Sequence, residues 1–123
     1  MSQNQSNNDT QINIFLDEET NNLLEQASEN SYRTKRQEAS IRVSDHLDSF
    51  GSSKFVRAPI DIADKVSNVN VTLTATDNKL LMDSIAQSDD VSFKRDEAAM
   101  RLKDHLRRYQ CIANIGCAIK RKC

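Results

Sequence analysis

Glu97-Ala98-Ala99-Met100-Arg101-Leu102-Lys103-Asp104-His105-Leu106 restates a stretch fifty-nine positions earlier, Glu38-Ala39-Ser40-Ile41-Arg42-Val43-Ser44-Asp45-His46-Leu47. Glu, Ala, Arg, Asp, His and Leu recur in the same order and spacing. Outward from this core, Lys35-Arg36 matches Lys94-Arg95, and Phe50 matches Tyr109. Upstream the offset becomes 57: Ile12-Asn13-Ile14 answers Val69-Asn70-Val71, Leu16 answers Leu73, and Leu23-Leu24 answers Leu80-Leu81. Asp89-Asp90 absorbs the two-residue change. An internal duplication therefore covers most of the chain and governs how it must fold.

Each copy has the same local plan. Residues 11–16 alternate, with Ile12, Ile14 and Leu16 on one side and Gln11, Asn13 and Phe15 on the other, which is the period of a half-buried strand. Asp17 stands where a helix N-cap belongs, with Glu18 and Glu19 at the positive end of the helix dipole. That helix runs to about Glu29, with Leu23, Leu24 and Ala27 on one face. After a turn at Asn30-Ser31-Tyr32-Arg33, Thr34 and Gln37 have capping-box spacing and open a second helix. Its apolar stripe is Ala39, Val43, Leu47 and Phe50. The second copy supplies a strand with Val69, Val71 and Leu73 inward and Asn70, Thr72 and Thr74 outward. A helix with Leu80, Leu81, Ile85 and Ala86 follows, then a turn over 87–92. A final helix from about Lys94 to Arg108 carries Ala98, Leu102, Leu106 and Tyr109.

The chain divides into a disordered start (1–10), a first unit (11–50), a linker (51–68), a second unit (69–109) and a tail (110–123). One strand-helix-helix unit has too small a core to stand alone, and a lone strand leaves its backbone groups unpaired. Two units solve both problems. The strands pair antiparallel, four helices pack beneath, and Ile12, Ile14, Leu16, Val69, Val71 and Leu73 roof one core. The expected fold is mainly α with a short two-stranded antiparallel ribbon, an intramolecular pseudo-dimer.

Composition narrows the function. The chain has 123 residues, 37% apolar and 28% charged, with no Trp and a net charge of −1. No eighteen-residue apolar run suggests a membrane span, the polar N-terminus does not look like a signal peptide, and a cytoplasmic location is expected. Cys111, Cys117 and Cys123 have neither disulfide-framework nor zinc-site spacing, so free thiols and no metal or cofactor are expected. Charge is uneven: residues 11–50 carry four basic and eight acidic groups, while 110–123 carry three basic groups and no acid. A near-neutral chain is not held to nucleic acid by bulk charge, which leaves local phosphate contacts. Arg42 with Asp45 and His46, and Arg101 with Asp104 and His105, lie three and four apart and are expected to bond along one helix face. No nucleophile accompanies them, so enzyme activity is not expected.

Strand-helix-helix units whose strands share an antiparallel ribbon resemble the ribbon-helix-helix fold of the MetJ and Arc type, where two chains normally supply the ribbon. A tandem pair in one chain resembles the TraY family, relaxosome DNA-binding proteins of F-like conjugative plasmids. The strings that carry the likeness are Arg101-Leu102-Lys103-Asp104-His105-Leu106 with Arg107-Arg108-Tyr109, Asp17-Glu18-Glu19-Thr20-Asn21-Asn22-Leu23-Leu24, and Lys54-Phe55-Val56-Arg57-Ala58.

The resemblance implies that the ribbon enters the major groove and reads bases with Gln11, Asn13, Phe15, Asn70, Thr72 and Thr74. Asn and Gln suit adenine, and Thr meets a base edge or the thymine methyl. No Lys or Arg stands among these, so reading mainly of A·T pairs is expected. Phosphate holding falls to the starts of the second helices, at Thr34, Lys35, Arg36, Ser92, Lys94 and Arg95, where free amides and the dipole favour an anion. The implied partners are double-stranded DNA at an origin of transfer, a relaxase with other relaxosome proteins, and a second copy on adjacent DNA. Regulation of transfer-gene transcription is a further implied role. Two other classes fit the same residues: an antitoxin-like regulator whose tail wraps a protein, and an adaptor whose ribbon leaves DNA untouched.

Overall fold

The structure is a computed structural model that describes residues 9–50, 62–87 and 93–109. The expectations for residues 1–8, most of the linker, Asp89-Asp90, Ser92 and the tail lie outside the described residues.

Strand β1 (Thr10–Leu16) leads through Asp17 into α1 (Glu18–Ser31), and α2 (Lys35–Phe50) follows. A single 3-10 turn (Ile62–Asp64) precedes β2 (Ser67–Leu73), α3 (Ala75–Ala86) and α4 (Lys94–Arg108). The strands pair antiparallel with Asn13 opposite Asn70, Gln11 opposite Thr72 and Phe15 opposite Asn68. Alternation thus does what the sequence demands. The six inward aliphatics Ile12, Ile14, Leu16, Val69, Val71 and Leu73 are buried, and they join Leu24, Ala39, Val43, Leu47, Leu81, Ala98, Leu102 and Leu106 in one cluster. The molecule is a tandem ribbon-helix-helix pseudo-dimer. β2 begins two residues before Val69, because Ser67 and Asn68 pair with Leu16 and Phe15.

Caps set the helix starts. The Asp17 carboxylate accepts from Thr20 N at 2.9 Å. Thr34 and Gln37 form the reciprocal capping box, both bonds at 3.1 Å. Thr74 caps α3 by accepting from Asp77 N at 3.1 Å. Phe93 precedes α4 without any side-chain cap. The left-handed residue after α1 is Tyr32, with φ 60°. A non-glycine residue pays a steric cost there. The turn is held by Tyr32 N and Arg33 N donating back to Glu29 O and Ser28 O, and by Ser28 Oγ donating to Arg33 O.

Candidate nucleic-acid interface

Gln11, Asn13, Asn68 and Asn70 project from the solvent face of the ribbon, with Phe15 and Thr72 half-buried beside them. Asn13 and Asn70 face each other at its centre. Asn68 shares this exposed face, although the sequence analysis did not single it out. The signal was present, since Asn68-Asn70-Thr72 continues one alternation, but the strand was started one residue too late to include it. Thr74 differs from the other candidates in position. It lies beyond the strand, and its hydroxyl oxygen accepts the Asp77 amide as an N-cap.

The ribbon lacks basic residues in sequence, yet neighbouring elements bring three cations to it. Arg36, in the first turn of α2, reaches Gln11 Oε1 at a long 3.4 Å. At the other end, Lys65 Nζ lies 4.6 Å from the Phe15 ring centroid and Arg95 Cζ lies 5.6 Å from it. Arg95 also sits 5.3 Å over the exposed Phe93 ring. Phe15 is therefore a platform for two cations, attracted by the negative face of the ring. This answers where its side chain goes. Lys65 came from a stretch read as linker and carried no sequence signal for this role.

The remaining phosphate candidates divide. Thr34 is exposed but its hydroxyl is occupied by the capping box. Lys35 and Lys94 hold matching asparagines of the preceding helix, Lys35 to Asn21 at 2.6 Å and Lys94 to Asn78 at 3.2 Å. Lys35 also lies 3.8 Å from Glu25. Both lysines fix how the two helices of a unit meet, and each ammonium retains further donors. Ser40 Oγ accepts from Thr72 N at 2.9 Å, tying α2 to the ribbon. Its counterpart Ala99 has no hydroxyl with which to do the same for Phe15.

The repeated Arg, Asp and His sit behind this surface and do not bond along their own helix as expected. They cross to the other copy. His46 Nε2 lies 2.8 Å from Asp104 Oδ2, and His105 Nε2 lies 2.8 Å from Asp45 Oδ2. Arg101 Nη1 meets His46 Nδ1 at 2.9 Å, and Arg42 Nη1 meets His105 Nδ1 at 3.2 Å. Each arginine does hold one partner on its own helix: Arg42 pairs with Glu38 at 2.7 Å and Arg101 with Glu97 at 3.1 Å. The reason for the crossing is packing. Side chains three and four apart project side by side from one helix, so where α2 and α4 meet they face the partner helix rather than each other.

Burial and chemistry agree on protonation. A guanidinium only donates, so Nδ1 of each ring must accept and each Nε2–H must face its carboxylate. Burial lowers the His46 pKa to about 4, against the hydrogen bond to Asp104 that pulls it up. His105 is lowered by the same cause, with Asp45 opposing. Burial pushes the Glu38 carboxyl up, but bonds from Arg42, Arg33 and Ser31 outweigh it and leave its pKa below the ordinary value. The histidines are neutral bridges between buried charges, already engaged on both nitrogens. No group of His, Cys, Asp and Glu able to hold a metal occurs among the described residues. Nor is any helix there long and apolar enough to cross a membrane.

No curated protein and no solved structure gives a significant match to the chain. The TraY domain family does match, over residues 12–57 and again over 69–118, two copies that follow the duplication and together span most of the sequence. The chain belongs to the TraY family of relaxosome-type DNA-binding proteins of conjugation systems.

Proposed function

We propose that this protein binds duplex DNA sequence-specifically near a plasmid origin of transfer and prepares it for nicking by a separate relaxase. It acts as a non-enzymatic accessory factor in the cytoplasm, alongside other relaxosome proteins, and also regulates transfer-gene transcription. Family membership supports the setting. The observation that carries the DNA reading is the ribbon face itself. Amide side chains at Gln11, Asn13, Asn68 and Asn70 stand free of the core, with Arg36 at one end and Lys65 and Arg95 at the other.

The division of labour follows from chemistry. Asparagine offers a donor and an acceptor in one plane, matching adenine N6 and N7, and each good bidentate pair discriminates by ~1–3 kcal/mol. The ribbon therefore reads mainly A·T pairs. The three cations and the free amides at the starts of α2 and α4 hold the phosphates on either side. One pseudo-dimer offers one ribbon, so a second copy occupies an adjacent subsite on a longer site.

The test is a binding titration against origin-of-transfer duplex and a scrambled duplex at several salt concentrations. Asn13→Ala with Asn70→Ala narrows the gap between the two duplexes by roughly tenfold or more. Phe15→Leu keeps an apolar residue but removes the cation platform, so it weakens both duplexes and flattens the salt slope by about one to two phosphate contacts. Equal, weak binding to both duplexes by the unaltered chain refutes the proposal.

A further inference from the structure

The pseudo-two-fold axis relates two seams, each between the second helix of one unit and the start of the other unit's first helix. The seam between α4 and α1 is closed by cations. Lys103 Nζ reaches Asp17 at 2.7 Å and Glu19 at 3.9 Å, and Arg107 grips Glu19 with two bonds of 2.7 Å. Lys103 and Arg107 are four residues apart, one turn of helix. At the matching places in α2 stand Ser44 and Asp48, and no cation closes that seam among the described residues.

What remains is a groove lined by Ile41, Ser44, Asp45, Asp48, Thr74 and Asp77. Asp45 is bound to the neutral His105. The Asp77 side chain borders the groove on a residue only 4% exposed, and it has no hydrogen-bond or ion-pair partner among the described residues. Its carboxylate is not among the buried unpartnered atoms, so it reaches the water of the groove, where an incoming cation can meet it. Asp48 points the same way: burial raises its pKa, and the charges of Asp77 and Asp45 raise it further.

We propose that this groove docks a helix of a protein partner that presents a Lys/Arg pair one turn apart. In the closed seam Lys103 and Arg107 meet Asp17 and Glu19; in the open one Thr74 and Thr76 stand at the matching places, and Asp45, Asp48 and Asp77 supply the carboxylates instead. Cations are required because the groove holds three carboxylates and no positive charge to meet them. A nucleic acid is excluded, since its phosphates are repelled by those same groups. A second copy of the chain cannot supply the equivalent pair, because its Lys103 and Arg107 are engaged on its own Asp17 and Glu19. The half-buried Ile41 gives the incoming helix an apolar footing between the charges. The inference does not rest on DNA reading by the ribbon, whose readers lie on the solvent face above.

The experiment uses the full isotope-labelled chain, titrated with a synthetic alanine-rich helical peptide carrying Lys and Arg four residues apart, and with a control peptide carrying Gln at both. Amide shifts should cluster at Ser44, Asp48, Thr74 and Asp77 with the charged peptide only. Asp48→Lys, at an exposed position that the fold tolerates, should weaken binding roughly tenfold or more, and Asp77→Asn should weaken it severalfold. The ratio of affinities for origin-of-transfer and scrambled duplex should be unchanged in Asp48→Lys, because the added charge acts on phosphates of either sequence alike, which separates this proposal from the DNA-binding one. Shifts centred on Asp17 and Glu19, an equal response to the Gln peptide, or indifference to Asp48→Lys would each overturn it.

Discussion

The two units share a plan, yet the second is the better satisfied and the more enclosed. Residues Glu97–Leu106 of α4 are buried without a break, whereas Ser40, Ile41, Ser44 and Asp45 of α2 remain half-exposed. The contrast extends to the buried arginines. Arg101 Nη2 donates to Ser84 Oγ at 2.8 Å, and Ser84 in turn donates to Glu97 at 2.7 Å. Arg42 Nη2 is buried with no hydrogen-bond partner among the described residues. The cause is one side chain: Ala27 holds the place in α1 that Ser84 holds in α3. A duplicated sequence can thus keep one fold while its halves drift to different chemistry. One half of this pseudo-dimer anchors, and the other stays open.

The comparison breaks most severely at the arginines. Arg101→Ala takes the cation from the buried Glu97 carboxylate, and loss of one partner from a buried pair costs about 3–5 kcal/mol. Urea unfolding should show that loss, with a smaller one for Arg42→Ala because Arg42 already leaves one nitrogen unpaired. Equal losses would mean that the missing bond has no energetic weight.

Acid is the next lever. His46 has a folded pKa of about 4 against an ordinary value of 6.5. Between those values the unfolded chain binds a proton that the folded chain refuses. Stability is therefore full above pH 6.5 and falls as pH drops toward 4, by roughly 3 kcal/mol for this one group. His105 is shifted in the same direction and adds to the loss. The depressed carboxyls of Asp17 and Glu38 add a further loss as pH falls below their ordinary values of 3.8 and 4.5, where the unfolded chain takes up protons that the folded chain still refuses. Chemical unfolding at pH 7 and pH 4.5 tests this, and a stability unchanged between them would contradict neutral bridging histidines.

A milder pair of substitutions exchanges the two halves' chemistry. Ser84→Ala should destabilise by ~1–3 kcal/mol, by removing the hydroxyl that accepts from Arg101 Nη2 and donates to Glu97. Ala27→Ser should stabilise by about 1 kcal/mol, by giving Arg42 the partner its twin already has. Thermal unfolding of the two variants reads both signs at once. The smallest effect belongs to the closed seam: Arg107→Ala breaks an ion pair whose members are both partly exposed, and such pairs are worth ~0.2–1 kcal/mol.

Much of the fold was legible because it rests on local rules. Strict alternation gave both strands, and a strand's buried face follows from its period of two. Asp17, Thr34 and Gln37 marked helix starts because a cap needs only a short side chain at the right place. The site was less legible. Asn13 and Asn70 were readable as outward residues, but Thr74 was not separable from the strand, since a cap and an outward strand residue look alike at a boundary. Phe15 was expected among the base readers, but its cation neighbours were not legible, because Lys65 and Arg95 come from far along the chain.

The sequence by itself determined the duplication, the strand-helix-helix unit, the inward aliphatics and the need for two copies to share one core. These are consequences of periodicity and of the backbone's demand for hydrogen bonds, which act over a few residues. Tertiary structure alone decided which copy's carboxylate each histidine faces, how a ribbon without a basic residue acquires three cations, and why one seam is closed and the other acidic. Those outcomes depend on crossing distances between residues 25 to 88 positions apart, set by how the helices pack beneath the ribbon, and no local pattern encodes them.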